Sequence, residues 1–251
     1  MAGHSHWAGI KHKKALIDNK RGKVWSKIAR AIMVAAKLGG GDPTTNARLR
    51  VPLADARAAR MPKDNIERAI KKGTGELDGG DVEETVYEGY GPAGVAVMCE
   101  IMTDNRNRTA PEIRKLFETY GGKLGATGCV AYLFERKGLV VIAEDKASEE
   151  ELMEIALASG ADDVRHEGGK FELTCDPEIY ADLLSGLEAA GIEPDVKQIT
   201  RIPNNTVDLD ADSGRKVLKL LEALDDHDDV QSVSANFNLP DTVMAEIEAT
   251  A

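Results

Sequence analysis

Aromatic residues are scarce in this chain of 251 residues, at 4% of the total. This scarcity argues against a single-strand binder built on a series of aromatic stacking platforms, because such proteins gain about 1 to 3 kcal/mol from each stacked base. Phosphate contacts would then have to supply most of any affinity for a polynucleotide.

Cysteines and long apolar runs are also few. Cys99, Cys129 and Cys175 are odd in number and form no CxxC pair, which fits neither a disulfide framework nor a zinc site. They are predicted to be reduced thiols in a cytoplasmic protein. No apolar run is longer than six residues, the length of residues 31–36, which is far shorter than the ~20 residues of a membrane span, and the N-terminus has no hydrophobic signal segment. Neither secretion nor membrane insertion is expected.

Acidic residues are scarce in one part of the chain only. The first 72 residues contain 17 lysines and arginines but five acidic residues, a net charge of +12, whereas the other 179 carry 15 basic and 38 acidic residues, a net charge of −23. A basic segment on an acidic body can hold a phosphate backbone while the body faces away from it. The charge distribution therefore indicates nucleic acid as the partner.

The basic segment begins without any apolar period. Residues 1–20 are therefore predicted to form an extended arm. From Val24 to Leu38 apolar residues recur every three or four positions, which predicts a helix that ends at Gly39-Gly40-Gly41.

Two further helices are predicted in the basic segment. One is expected over residues 43–60, with Asp42 as its N-cap and a kink or restart at Pro52, since proline removes a helix hydrogen bond. The other opens at Pro62 and closes at Gly73. A glycine-rich linker then marks the change in charge sign.

The pattern next changes from helical to alternating. Residues 85–90 and 94–103 predict two strands, and in the second strand Val95, Val97, Cys99 and Ile101 alternate onto one face. A helix over residues 109–120 is expected to start with a capping box formed by Thr109 and Glu112.

The second half of the chain predicts a compact repeat of strands and helices. From residue 138 to residue 202 the order is β-α-β-β-α-β, with a capping box at Ser148 and Glu151, a hairpin at Gly168-Gly169 and a helix opened by Asp176-Pro177. This order indicates a ferredoxin-like unit. The remaining helix and two strands are too small to fold alone, so they are expected to complete the sheet that begins near residue 85.

The arm concentrates residue types that contact nucleic acid. It carries three of the five histidines and one of the two tryptophans among its cations. Lysine and arginine can donate to phosphates, while Trp7 or a histidine can stack on an exposed base or sugar. The alternative is a solvated tail, but a charge of +7 over 30 residues together with histidines and a tryptophan favours binding.

The predicted helices add cations with few acidic neighbours, which favours a surface of one sign. If about 6 to 10 of them meet phosphates, affinity should fall by ~10³ to 10⁵ between 50 and 200 mM salt. Some will only shield apolar neighbours with their stems. These cations are Lys27, Arg30, Lys37, Arg48, Arg50, Arg57, Arg60, Lys63, Arg68, Lys71 and Lys72.

Residues 104–109 form a second candidate site. They lie between a predicted strand and a helix N-terminus, where free amides and the helix dipole favour an anion, and Arg106 and Arg108 would strengthen it. Alternatively, Asp104 and the asparagines close the turn while the arginines pair with the acidic body. Both interpretations stay open.

Two other segments are assigned structural roles. Residues 121–128 lack the GxxxxGK[ST] spacing of a phosphate loop and are expected to form a helix C-cap and turn. Residues 225–229 lack EF-hand spacing and are expected to be a solvated acidic loop. No nucleophile, base or paired-carboxylate arrangement can be identified by spacing. No catalytic residue, metal site or cofactor is therefore predicted.

A series of ordered motifs runs through nearly the whole chain. They are Gly3-His4-Ser5 with Trp7, Ile10-Lys11-His12-Lys13-Lys14, Asp18, Arg21-Gly22-Lys23, Ala35-Ala36-Lys37, Gly41-Asp42-Pro43, Asn46 with Arg48-Leu49-Arg50, Met61-Pro62-Lys63-Asp64-Asn65-Ile66, Tyr87-Glu88-Gly89-Tyr90-Gly91-Pro92 and Thr103-Asp104-Asn105-Arg106-Asn107-Arg108-Thr109. Together they resemble the YebC family, which includes the mitochondrial translational activator of cytochrome c oxidase. The chain departs from the family pattern at Trp25, Ala47, Pro52, Ala93 and Cys129.

The resemblance implies a cytoplasmic α+β protein in which an N-terminal three-helix domain is followed by two α+β domains, the last ferredoxin-like and inserted into the middle one. The expected domains are residues 1–80, residues 81–135 with 204–251, and residues 136–203. The family implies binding by the matched arm and helix cations with the two arginines of residues 104–109. The residues assigned to nucleic-acid binding are His4, Trp7, Lys11, His12, Lys13, Lys14, Lys20, Arg21, Lys23, Lys27, Arg48, Arg50, Lys63, Lys71, Lys72, Arg106 and Arg108.

Three functional hypotheses follow. The first is a non-enzymatic regulator that binds RNA, with ribosomal RNA favoured, while the acidic body excludes further polyanion or contacts basic ribosomal proteins. The family resemblance adds assistance to elongation through proline-rich stretches. The second is a DNA-binding transcriptional regulator, which is weaker physically because no helix shows a distinct base-reading set of side chains. The third is an interaction module whose acidic half grips a basic protein while the arm folds back on it.

Overall fold

The computed structural model describes residues 21–78 and 81–240, with residues 242, 243 and 246 beyond them. The predicted extended arm, residues 1–20, lies outside the described residues. The helices are α1 (Arg21–Gly39), α2 (Ala47–Ala58), α3 (Lys63–Gly73), α4 (Arg106–Thr119), α5 (Glu149–Ser159), α6 (Tyr180–Ala189) and α7 (Ala211–Asp225). The strands are β1 (Glu83–Tyr90), β2 (Ala96–Thr103), β3 (Lys123–Leu124), β4 (Phe134–Ala143), β5 (Asp163–Glu167), β6 (Lys170–Cys175), β7 (Val196–Pro203), β8 (Val207–Asp208), β9 (Val230–Ala235) and β10 (Phe237–Asn238).

Helix α1 packs against both α2 and α3. Its apolar stripe contributes Ile32 and Ala35 to a small core with Leu49, Ala56 and Ala69 from the other two helices. The prediction of three short helices is confirmed, because their apolar periods are local and the stripes meet in one core.

The start of α2 differs from the prediction. Helix α2 begins at Ala47, and its N-cap is Asn46, so the expected start at residue 43 is wrong. The Asn46 side chain accepts from the Leu49 amide at 3.3 Å and donates to the carbonyls of Ala35 (2.8 Å) and Gly40 (2.7 Å). The helix continues through Pro52, so the restart expected there is wrong, while the alternative of a kink stays a prediction.

The first sheet has the strand order β3-β1-β2-β9, and its neighbours are antiparallel. Val95, Val97, Cys99 and Ile101 are fully or almost fully buried beneath α4 and α7, which confirms their predicted alternation. Strand β9 pairs with β2, so a segment from the end of the chain completes this sheet as expected. The expectation is wrong for the strand near Val207, because β8 pairs in parallel with β10 in a separate two-stranded sheet.

The start of α4 also needs correction. Asn105 is the N-cap of α4, and its side chain accepts from the Arg108 amide at 3.1 Å. The predicted capping box of Thr109 and Glu112 is wrong, because Thr109 lies inside the helix and is fully buried.

A buried carboxylate organises the connection that follows β3. Glu88 is 3% exposed and accepts hydrogen bonds from the amides of Gly128 (2.7 Å), Val130 (2.9 Å) and Ala131 (2.8 Å). At Gly89 a Cβ atom would lie 2.6 Å from the Lys123 carbonyl, so only glycine fits there. Glu88 and Gly89, two residues of the motif from Tyr87 to Pro92, are therefore explained by structural roles.

The second sheet has the antiparallel order β5-β6-β4-β7, with α5 and α6 contributing to the core on one face. This is the ferredoxin-like arrangement that the element order predicts. The capping box at Ser148 and Glu151 is present, whereas α6 begins at Tyr180, after a turn that follows Pro177. The fold class α+β is confirmed, and the domain boundaries stay a prediction.

The three cysteines are free thiols. Burial raises the pKa of Cys175 to about 11, which favours its protonated form. Among the helices of the described residues, none is both long and apolar enough to cross a membrane.

Candidate nucleic-acid interface

Two predicted phosphate ligands on α1 already have partners inside the chain. Residues 225–229, here called the aspartate loop, connect α7 to β9. The Lys23 Nζ donates to the Asp226 carbonyl at 2.9 Å, and the Lys27 Nζ donates to the Asp225 carbonyl at 2.6 Å. One face of the basic helix is therefore in contact with the most acidic loop of the chain.

Asp229 is the centre of this contact. Its side chain is 2% exposed, and one of its oxygens accepts from Thr109 at 2.6 Å, Arg108 at 2.8 Å and Thr103 at 3.1 Å. The other oxygen lies 3.1 Å from Arg30 Nη2. Burial opposes ionisation, but the hydrogen bonds from Thr109 and Arg108 and the charge of Arg30 outweigh it and lower the pKa of Asp229. Asp229 thus joins α1, β2 and α4.

The prediction that residues 225–229 form a solvated loop is wrong for this reason. Their carbonyls and one buried carboxylate face three cations of α1, so the loop acts as an internal anion. No group of three potential metal ligands occurs in the part of the chain that the structure describes. The signal available in the sequence was charge complementarity between a basic helix and a run of four aspartates, about 200 residues apart.

The predicted ligands on α2 are held within the protein as well. Arg48 forms an ion pair with Glu84 of β1. Arg50 donates to the carbonyls of Pro43 at 2.7 Å and Thr44 at 2.9 Å, which close the turn before α2. Their roles in binding stay a prediction.

In the second candidate site, residues 104–109, both arginines pair with carboxylates. Arg106 Nε lies 2.7 Å from Glu83, and Arg108 contacts Asp104 at 2.9 Å in addition to Asp229. These contacts match the alternative in which the arginines neutralise the acidic body. Anion binding by this segment stays a prediction.

Five of the six cations between residues 57 and 72 differ from all of these. Among the described residues they have no ion-pair partner, and we call them the open cations. Arg60 adopts a left-handed conformation with φ 52°, which is uncommon for a residue with a side chain. Lys63, the sixth cation of this segment, differs from the open cations because it pairs with Glu67 at 3.5 Å on the exposed surface of α3. The open cations are Arg57, Arg60, Arg68, Lys71 and Lys72.

The structure therefore divides the predicted binding residues into three groups. Lys71 and Lys72 are open, and the other predicted cations with described side chains have partners within the chain. The remaining three open cations are among the helix cations that the sequence offers for phosphate contact, but they are not assigned to the binding set, because spacing cannot show which cations have partners. His4, Trp7, Lys11, His12, Lys13, Lys14, Lys20 and the side chain of Arg21 lie outside the described residues.

Comparisons with known proteins cover nearly the whole chain. Residues 5–76 match the family described as the TACO1/YebC protein N-terminal domain, and residues 82–237 match the TACO1/YebC second and third domain. A protein of Rhodopirellula baltica, named a probable transcriptional regulatory protein, is 59% identical over 98% of this chain and 100% of its own length. A Treponema denticola protein with the same designation is 52% identical over 96% of this chain and 98% of its own length.

A solved structure has the same fold. The crystal structure of a conserved hypothetical protein from Aquifex aeolicus superimposes with a TM-score of 0.83 at 51% identity. The match covers 94% of this chain and 97% of that one.

Proposed function

Because this chain belongs to the TACO1/YebC family, we propose that it is a non-enzymatic nucleic-acid-binding regulator of gene expression. It works in the cytoplasm as a ribosome-associated translation factor that binds RNA and assists elongation through proline-rich stretches. The acidic body, residues 73–251, faces away from the RNA or contacts basic ribosomal proteins.

The observation that carries this proposal is the set of open cations. A cation that has no internal partner loses no ion pair when it meets a phosphate, whereas Lys23 or Lys27 would have to leave the aspartate loop. Five phosphate contacts to a single strand would give a slope of about −3 to −4 in a plot of log K against log salt.

The proposal favours RNA because of what the basic helices offer. Sequence readout in the DNA major groove needs a helix whose side chains reach base edges. Helix α3 presents Arg68, Lys71 and Lys72 in its second half, a set suited to phosphates. The alternative is a DNA-binding transcriptional regulator, which is supported by the names of the relatives in Rhodopirellula and Treponema.

Binding can be tested with the full chain and matched variants. We expect the variant with all five open cations changed to alanine to lose ribosome cosedimentation at 150 mM salt by more than tenfold. The control removes the same charge from the acidic body through Arg114→Ala, Lys115→Ala, Lys197→Ala, Lys216→Ala and Lys219→Ala, all at exposed positions. Equal loss in both variants would contradict the assignment. Sequence-dependent binding to duplex DNA over excess random RNA would favour the transcriptional alternative.

The role in elongation needs a separate experiment. Added protein should reduce ribosome pausing at a run of proline codons in a purified translation system, as mapped by toeprinting, without changing the amount of mRNA. The five-alanine variant should leave the pause intact, and the charge-matched control should relieve it. A pause that persists with wild-type protein would refute this part of the proposal.

A further inference from the structure

A groove of about 290 Å³ runs between α1 and α3. Trp25 and Met33 of α1 line it together with Met61, which precedes α3. Its volume lies near the lower end of the range of roughly 300 to 1,000 Å³ found for small-molecule sites. The groove is therefore large enough for one planar group and too small for a duplex or a folded partner.

The tryptophan in this groove is held in place. The indole Nε1 of Trp25 donates to the Ala59 carbonyl at 3.0 Å, and the ring packs against the core of the three helices. The side chain is half-buried, so it stays in contact with the groove. A fixed aromatic ring beside methionine side chains favours stacking with a planar, uncharged group, because little side-chain freedom is lost on binding.

Cations lie at one side of the groove. Arg68 and Lys72 are one turn apart on α3, both line the groove, and both belong to the open cations. Lys71 is exposed and does not line the groove. The charge at this side favours an anionic ligand and disfavours a basic or purely apolar one.

A hydrogen-bonding group completes the lining. Asn65 is half-buried, lines the groove, and its side chain has no hydrogen-bond partner among the described residues. An asparagine amide offers both a donor and an acceptor, which matches the edge of a nucleobase. The groove thus combines a stacking surface, an amide and two cations.

We infer that the α1–α3 groove binds one unstacked nucleotide of a single RNA strand. Its base stacks on Trp25 and bonds to Asn65, while the adjoining phosphates meet Arg68 and Lys72. This inference rests on the proposed function and adds to it a position where the protein holds a base. One such site is compatible with the low aromatic content, because it needs a single ring rather than a series of platforms.

The experiment uses the only two tryptophans of the chain. In a Trp7→Phe variant of the full chain, Trp25 is the sole indole, so its fluorescence reports on the groove. A short single-stranded RNA should quench this fluorescence strongly, whereas inorganic polyphosphate, which has no bases, should bind with little quenching. Binding itself is measured by competition against a labelled RNA.

Open cations outside the groove provide a charge-matched control in the same background. Arg68→Ala with Lys72→Ala should weaken RNA binding about tenfold and reduce quenching. Arg57→Ala with Lys71→Ala removes the same charge at exposed positions that do not line the groove, and it should weaken binding less and keep the quenching at saturation. Asn65→Ala should reduce differences in affinity among homopolymeric RNAs.

Two different failures can be distinguished. RNA that binds without quenching Trp25, or polyphosphate that quenches equally, overturns the nucleotide site and leaves the proposed function standing. Absence of binding to any RNA by the wild-type chain overturns the proposed function, and the groove site with it.

Discussion

The aspartate-loop face of α1 and the second half of α3 belong to the same basic segment, yet their cations serve different ends. On α1, Lys27 and Arg30 are about one-fifth exposed and contact the aspartate loop. On α3, Arg68 and Lys71 are exposed and have no ion-pair partner among the described residues. The net charge of a segment therefore does not reveal how much of that charge is available to a ligand.

The contact between α1 and the aspartate loop also bears on the third hypothesis, the interaction module. That hypothesis assigns to the arm an internal contact with the acidic body. The structure has a contact of this type at α1, through the aspartate loop. The acidic charge of the chain thus has a structural use close to the proposed interface, where it neutralises one face of a basic helix.

The largest effect on stability is expected from a substitution of Asp229, the buried carboxylate that holds α1 against the aspartate loop. Asp229→Asn should lower the free energy of unfolding by about 1.5 to 3 kcal/mol, because it removes the buried carboxylate that accepts from Thr109 and Arg108 and pairs with Arg30. Chemical denaturation followed by circular dichroism measures the loss. The control Asp228→Asn, at an exposed side chain, should change stability by less than about 0.5 kcal/mol. Equal effects would contradict a special role for the buried carboxylate.

Acidification should gradually remove the contribution of the Asp229 carboxylate to the free energy of unfolding. The folded-state pKa of Asp229 is lowered, so its stabilising effect is fully present above the unfolded value of about 3.9 and is lost as pH falls through the folded value. The difference in unfolding free energy between wild type and Asp229→Asn should therefore be constant near neutral pH and shrink below about pH 4. A difference that does not depend on pH would show that charge is not its cause.

A smaller effect is expected where the lysines of α1 meet the loop. Lys27→Ala should cost about 1 kcal/mol of stability, since it removes a charged donor from a half-buried carbonyl. Lys71→Ala should cost almost none, because this side chain is exposed and has no ion-pair partner in the described part of the chain. Thermal unfolding measures the loss of stability in the two variants, and a larger loss for Lys71→Ala than for Lys27→Ala would contradict the prediction.

The smallest effect lies in the salt dependence of RNA binding. Each open cation that meets a single-strand phosphate should reduce the magnitude of the slope of log K against log salt by ~0.7 when it is changed to alanine. Lys72→Ala should show this decrease, whereas Lys23→Ala, on the face that binds the loop, should leave the slope unchanged. Fluorescence anisotropy titrations between 50 and 200 mM salt measure the slope of each variant. Equal slopes would contradict the prediction that open cations contact phosphates and paired cations do not.

Much of the fold can be predicted because its signals are local. The alternation of Val95, Val97, Cys99 and Ile101 places one strand face in the core, since side chains of a strand alternate between its faces. The capping box at Ser148 depends on residues three positions apart. The candidate site is less predictable, because the sequence counts its cations without showing their partners.

The α+β class, the order of elements in the ferredoxin-like unit and the division of the chain into basic and acidic parts follow from local patterns of residues. The tertiary structure decided the rest. Asn46 caps α2 because its amide reaches two carbonyls at the end of α1, and Thr109 lies inside α4 as a donor to Asp229, 120 residues later. Which cations stay open depends on contacts across about 200 residues, and such contacts arise only when separate elements pack together.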